Sequence, residues 1–461
     1  MNAKIKKKSL FSGNVNMLEG SVTKSMIAFV IPLILSGILQ SLFNAADIAV
    51  VGNFAGKEAV AAVGATSVII TFLVNVSVTL ATGVNVILSR AIGAGDEHRI
   101  KRTVGTSFFV SLALGVLIAI LGELLAYPLL ELTGCPENIR DDAALYMRVY
   151  FIGVPATMFY NFMSSVVRLN GDSTRPFIYL SISGVTNVVL NLVFVIGFGM
   201  AVAGVAIATV ISLYLSAVLL LIRILRIDGA CRLDLKRLTF STATFTKIMR
   251  YGIPSSVSTA ASAISSMYIQ SIVNSYGDVG ISGNTAAVSI ETFMFSVFGA
   301  IYGAIPAFMG QNIGAGNRER TMKVLRVGAI MTLAVGLVFG LVSGLFGKAL
   351  LSLYLPNDPD AISFGLIRVR YILTLAMLCA ATYIIGASIQ SFGYTTFQMV
   401  YDLVATCALR VVWLAFIYPL NPTPEMLYVC FPLSWVIVIA VAGAYNAVIC
   451  RRYMRGATVD L

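Results

Sequence analysis

The chain has 461 residues, of which 58% are hydrophobic and only 11% charged, and its mean hydropathy is +0.89. A soluble domain carries about 25% charged residues and 45–50% apolar ones, so a membrane must take up the excess, and a cytosolic enzyme or a nucleic-acid binder is excluded. The formal charge of +11, from 32 Lys and Arg against 21 Asp and Glu, has a simpler source, because the basic residues cluster in the loops of one side.

The N-terminal tail holds Lys4, Lys6, Lys7 and Lys8. The apolar run after it is longer than the ~7–15-residue core of a signal peptide, and it reads as a retained first membrane helix. About 20 apolar residues cross the ~30 Å hydrocarbon layer. By that measure spans 1 to 6 lie at 25–50, 59–89, 104–127, 143–167, 177–198 and 202–225. Spans 7 to 12 lie at 248–275, 284–310, 324–347, 365–390, 395–419 and 426–449. With the N-terminus inside, 25 basic residues fall in inner segments and six (Lys57, Arg140, Arg148, Lys348, Arg368, Arg370) in outer ones, while Arg410 sits within span 11. Basic loops stay cytoplasmic, so the reading is a multi-pass plasma-membrane protein with both termini in the cytoplasm.

The chain also repeats itself. Ile92-Gly93-Ala94-Gly95 recurs as Ile313-Gly314-Ala315-Gly316, Ile31-Pro32 as Ile253-Pro254, and Gly171 as Gly393. Three anchors at nearly one offset, each at the same place in a six-span unit, define two parallel halves. The expected fold is all-α and polytopic, with twelve transmembrane helices in two six-helix repeats around a central cavity. Its parts are a tail (1–24), a first bundle (25–226), a cytoplasmic linker (227–246), a second bundle (247–450) and a tail (451–461). Transporters with such halves place their site near mid-membrane and rock one half against the other.

One His and six Cys without a CxxC offer no metal or disulfide framework. No catalytic, cofactor or metal residue is assigned, and an enzyme is not expected. Charged groups inside spans are costly and face a cavity or a partner; here they are Asp47, Glu123, Glu291, Asp402 and Arg410. Glu123 is near the outer end of span 3, within reach of water. Asp402 and Arg410, eight residues apart, read either as a structural ion pair with a neighbouring helix or as part of transport. Asp47 lies roughly 35 Å along span 1 at 1.5 Å per residue. On span 5, Asn187 and Asn191 lie at roughly 18 and 24 Å, four residues apart on one face, and Thr209 is about 12 Å down span 6. A carboxylate, two amides and a hydroxyl at broadly similar depth suit a hard cation such as Na⁺, or a proton on the carboxylate. The alternative is that the two Asn only bond helix to helix.

At these residues the chain resembles the multidrug and toxic compound extrusion (MATE) family, over nearly its whole length. The resemblance rests on "LFNAADIAVVG" (42–52), "NVVLN" (187–191), "GVAIATVIS" (204–212) and the GAG loops after spans 2 and 8. It implies a cation-coupled (H⁺ or Na⁺) antiporter that exports amphipathic, cationic compounds by alternating access. The coupling site would use Asp47, Asn187 and Asn191, with Thr209 nearby; no cofactor beyond the ion is expected. NorM-type members carry carboxylates on helices 7 and 10, whereas spans 7 and 10 here have none. Glu291 on span 8 instead reads as a cavity carboxylate beside Phe295 and Tyr302, or as a packing group. The expected partners are a small organic cation and the lipid bilayer, with no nucleic acid, and the expected state is a monomer. The alternative function is a lipid-linked saccharide flippase of the same broader superfamily; the acidic interior argues against it.

Overall fold

The computed structural model describes residues 15–54, 56–356 and 358–456. Lys4, Lys6, Lys7 and Lys8 of the basic tail and the last five residues lie outside them. Among the described residues the chain is helix and turn throughout. The helices are α1 (Val22–Phe54), α2 (Glu58–Gly93), α3 (Glu97–Leu132), α4 (Glu137–Leu169), α5 (Thr174–Gly197) and α6 (Ala201–Leu225). They continue as α7 (Thr242–Asn274), α8 (Gly277–Gly314), α9 (Arg318–Ser352), α10 (Pro359–Leu373 and Ala376–Ser391, bent by 42°), α11 (Thr395–Leu420) and α12 (Pro424–Met454). They form two compact units, one ending at Arg250 and the other beginning at Tyr251.

Nine of the helices are long and apolar enough to cross a membrane, and the bent α10 makes a tenth. The other two, α4 and α7, have 33 residues each, enough for a ~30 Å layer, but are more polar. For α4 the reason is position. It packs against α2, α3 and α6, and its second half, from Gly153 to Val167, is buried almost without a break. A helix wrapped by protein does not need lipid-soluble residues on every face. For α7 the reason is local bonding. Ser255, Ser256, Thr259, Ser262 and Ser266 each donate to the carbonyl four residues back, at 3.0–3.2 Å. Hydroxyls satisfied on their own helix cost little in a membrane.

The sequence repeat has a structural cause. After α2, Gly95 takes φ +67° and the Asp96 carboxylate accepts from Arg99 N at 3.0 Å. After α8, Gly316 takes φ +71° and the Asn317 side-chain oxygen accepts from Arg320 N at 2.9 Å. Each GAG loop thus joins a left-handed glycine C-cap to a polar N-cap. Gly171 and Gly393 close α4 and α10 in the same left-handed way, at φ +91° and +85°.

The segment between α6 and α7 packs on the first unit. Ile227, Cys231 and Leu233 are buried, and Leu233 N donates to Ile224 O at 3.2 Å. Ser241 N donates to the Thr106 hydroxyl on α3 at 3.2 Å. A side chain at Gly105 would come within 2.8 Å of Thr239 O, so only glycine lets the segment lie this close to α3.

Candidate functional site

In the first unit α1, α5 and α6 bring together all four residues expected at the coupling site. Gly184 makes room, because a Cβ there would overlap the Phe43 ring of α1. One and two turns further along the same face of α5 come Asn187 and Asn191, 6% and 0% exposed. Asn191 Nδ2 donates both to Asp47 Oδ1 and to Asn187 Oδ1, the latter at 3.3 Å. Asn187 Nδ2 donates to Thr209 Oγ1 at 3.3 Å, and Thr209 donates to Val205 O at 2.9 Å. Each donor group in this chain of bonds therefore has an acceptor.

The oxygens are not all matched. Asn191 Oδ1 is buried and accepts no hydrogen bond, next to the Asp47 carboxylate that its own amide holds. A buried acceptor without a donor is costly, and a proton or a small cation shared with the carboxylate would satisfy it. Tyr146 of α4, 6% exposed, faces Thr209 and Asp47 from a fourth helix. Sequence reasoning missed it, because Tyr in an apolar span is ordinary packing until a neighbour is known.

The second unit is arranged differently from the expectation. Glu291 is buried on α8, and both carboxylate oxygens accept from Arg368: Nε to Oε1 at 2.7 Å and Nη2 to Oε2 at 2.8 Å. Arg368 Nη1 donates to Asn284 Oδ1 at 2.7 Å, and Tyr428 donates to the same oxygen at 2.9 Å. Glu291 is thus held in a neutral two-point pair. Arg368, assigned from the sequence to an outer segment, lies inside the bundle at 8% exposure, so Arg410 is not alone among intramembrane cations.

Phe295 and Tyr302 do cluster, around Tyr383, with ring centroids at 6.4 and 5.8 Å. The Tyr302 hydroxyl accepts from Gln398 Nε2 at 2.9 Å. A second carboxylate stands by these rings: Asp402, which faces Ser258 and neighbours Tyr302, Tyr383 and Tyr401. Asp402 and Arg410 form no ion pair with any described residue; Arg410 instead donates to Ser434 Oγ at 2.9 and 3.1 Å and stacks 4.3 Å over Phe431. Glu123 is half exposed and meets Arg148 at 3.4 Å.

A duplicated set of six helices, with the Asp47 polar chain in one copy and the Glu291–Arg368 pair in the other, defines a polytopic membrane protein built by repetition. A family model described as MatE matches residues 32–193 and 254–416, one segment in each half. The chain belongs to the MatE family. It is similar to the "Probable multidrug resistance protein YoeA" of Bacillus subtilis (strain 168), at 28% identity over 442 residues, covering 93% of this chain and 94% of that one. The "Probable multidrug resistance protein YpnP" of the same organism is 28% identical over 398 residues, covering 85% and 87%. Among solved structures, a MATE crystallised in the bent conformation superposes with a TM-score of 0.88 at 22% identity, over 96% of this chain and 98% of that one. At that identity the likeness speaks for the fold.

Proposed function

We propose that this protein is a multidrug exporter of the plasma membrane, driven by inward flow of H⁺ or Na⁺ through Asp47. The observation that carries the reading is the bond chain Asp47–Asn191–Asn187–Thr209, with one carboxylate and one unmatched buried oxygen. A single negative charge among neutral oxygen ligands fits one monovalent cation or one proton. Family membership and relatives named for multidrug resistance support export of small molecules. The excess of basic residues in alternate loops supports cytoplasmic termini. No comparison favours the flippase alternative.

For the substrate region the reading moves from Glu291 to Asp402. Arg368 neutralises Glu291, which leaves it nothing to offer a cation. Asp402 stands among Tyr302, Tyr383 and Tyr401, and rings beside a carboxylate suit an amphipathic organic cation. The test of coupling is Asp47→Asn in proteoliposomes, with Na⁺ and pH gradients imposed separately. Gradient-driven export is expected to fall to background while the protein folds and inserts normally. Asn187→Ala and Asn191→Ala, each removing one neutral ligand, are expected to weaken export less. Near wild-type pumping by Asp47→Asn would refute the assignment.

A further inference from the structure

The linker and the beginning of α3 enclose a pocket of about 300 Å³, lined by Lys101, Gly105, Arg232, Asp234, Arg237 and Leu238 among others. The transport reading gives it no role. It is a built feature, because the buried Cys231 and Leu233 and the bond from Ser241 N to Thr106 pin its outer wall to the first unit. Its charge is predominantly positive. Arg232 and Arg237 form no ion pair with any described residue, whereas Asp234 is committed to capping Lys236 N at 3.0 Å and Lys101 is shared with Glu97 at 3.0 Å.

Position along α3 says what such a pocket meets. The first turns of α3, Glu97 to Arg102, are strongly charged, and from Thr103 to Gly122 no charged residue occurs. Lys101, Val104 and Gly105 therefore put the pocket at the seam between the polar face and the hydrocarbon. Beside it Phe240, Leu235 and Phe109 are 54%, 51% and 39% exposed, and the Phe109 and Phe240 rings meet edge-on at 6.2 Å. Exposed Phe and Leu side chains at this level bury into the boundary between headgroups and acyl chains, and basic pockets between helices accept lipid phosphates. The second unit offers a contrast: at the start of α9, Arg318 Nη2 donates to Gly456 O at 3.0 Å and its guanidinium lies 5.6 Å from the Tyr453 ring. There the basic side chain is taken up by the protein itself.

We propose that this pocket binds the phosphate of an anionic phospholipid, with Arg232 and Arg237 on its oxygens and the acyl chains along Phe109 and Phe240. The test follows the unfolding temperature of the full-length protein in neutral detergent, titrated with phosphatidylglycerol, phosphatidylcholine or inorganic phosphate. Phosphatidylglycerol is expected to raise the unfolding temperature of the wild type, while the other two leave it unchanged. Arg232→Gln with Arg237→Gln is expected to unfold like wild type without lipid but to weaken the apparent phosphatidylglycerol affinity by at least about tenfold. The double Lys replacement, which keeps both charges, should retain most of the effect. The proposal fails if the Gln variant keeps the full shift, if phosphatidylcholine matches phosphatidylglycerol, if inorganic phosphate alone reproduces the shift, or if no additive moves the wild type.

Discussion

Glu291 and Arg368 meet through two parallel hydrogen bonds at 2.7 and 2.8 Å, both side chains nearly sealed from solvent. Removing one partner from such a pair leaves the other charge buried, at a cost of about 3–5 kcal/mol, whereas replacing both by apolar groups is often neutral. Glu291→Gln is therefore expected to lower the unfolding temperature in detergent and to reduce export of cationic and neutral compounds alike. The double change Glu291→Leu with Arg368→Met should recover most of the stability. A stable Glu291→Gln protein that loses only cation export would return Glu291 to the substrate region. The sequence showed the oddity of Glu291 but not its answer, because the partner is 77 residues away on another helix. Asp47, Asn187, Asn191 and Thr209 were legible together for a different reason. Their heights come from a fixed rise per residue along helices whose ends are marked by charges, and amides four apart must share a face. Height does not fix which neighbour each side chain turns toward, so Tyr146 and Arg368 stayed hidden.

Helix contacts decide whether those heights become a site. Gly184 lets α5 approach α1, and a Cβ there would overlap the ring of Phe43, one turn before Asp47. Overpacking of this kind costs roughly 1–3 kcal/mol and is relieved by backbone shifts, which here would draw Asp47 away from Asn191. Gly184→Ala is expected to lower gradient-driven export severalfold at normal membrane abundance, and Phe43→Leu in the same chain should restore much of it. If Gly184→Ala exports like wild type, the α1–α5 approach does not set the site. In the second unit α11 shows where periodicity misleads. Asp402–Ala408 winds as a π-helix, which inserts an extra residue per turn and rotates the rest of the helix about its axis. Eight residues across such a stretch do not keep α-helical spacing, and Arg410 turns to Phe431 and Ser434.

Across the whole chain the duplication was the most legible feature, because it rests on backbone chemistry that few residues can satisfy. A glycine at positive φ followed by a capping Asp or Asn must recur wherever the same tight turn recurs. The two halves then diverge in what they bury. Between α1, α5 and α6 the first holds one carboxylate among neutral oxygens, while the second holds a neutralised Glu291 and an Asp402 that pairs with no cation among the described residues. On the proposed reading only Asp47 carries the coupling ion, so each cycle moves one monovalent cation inward. Exchange against a monovalent organic cation then transfers no net charge, whereas exchange against a neutral compound transfers one. A single charge crossing 100 mV contributes about 2.3 kcal/mol, equivalent to roughly fiftyfold in a substrate gradient at 1.4 kcal/mol per tenfold. In proteoliposomes with a potassium diffusion potential and a fixed ion gradient, export of a monovalent cation should be indifferent to the potential. Accumulation of a neutral substrate should rise with it, and in Asp47→Asn neither should respond. Cation export that tracks the potential would mean that more than one ion moves per cycle, and a second carboxylate, Asp402, would have to share the coupling.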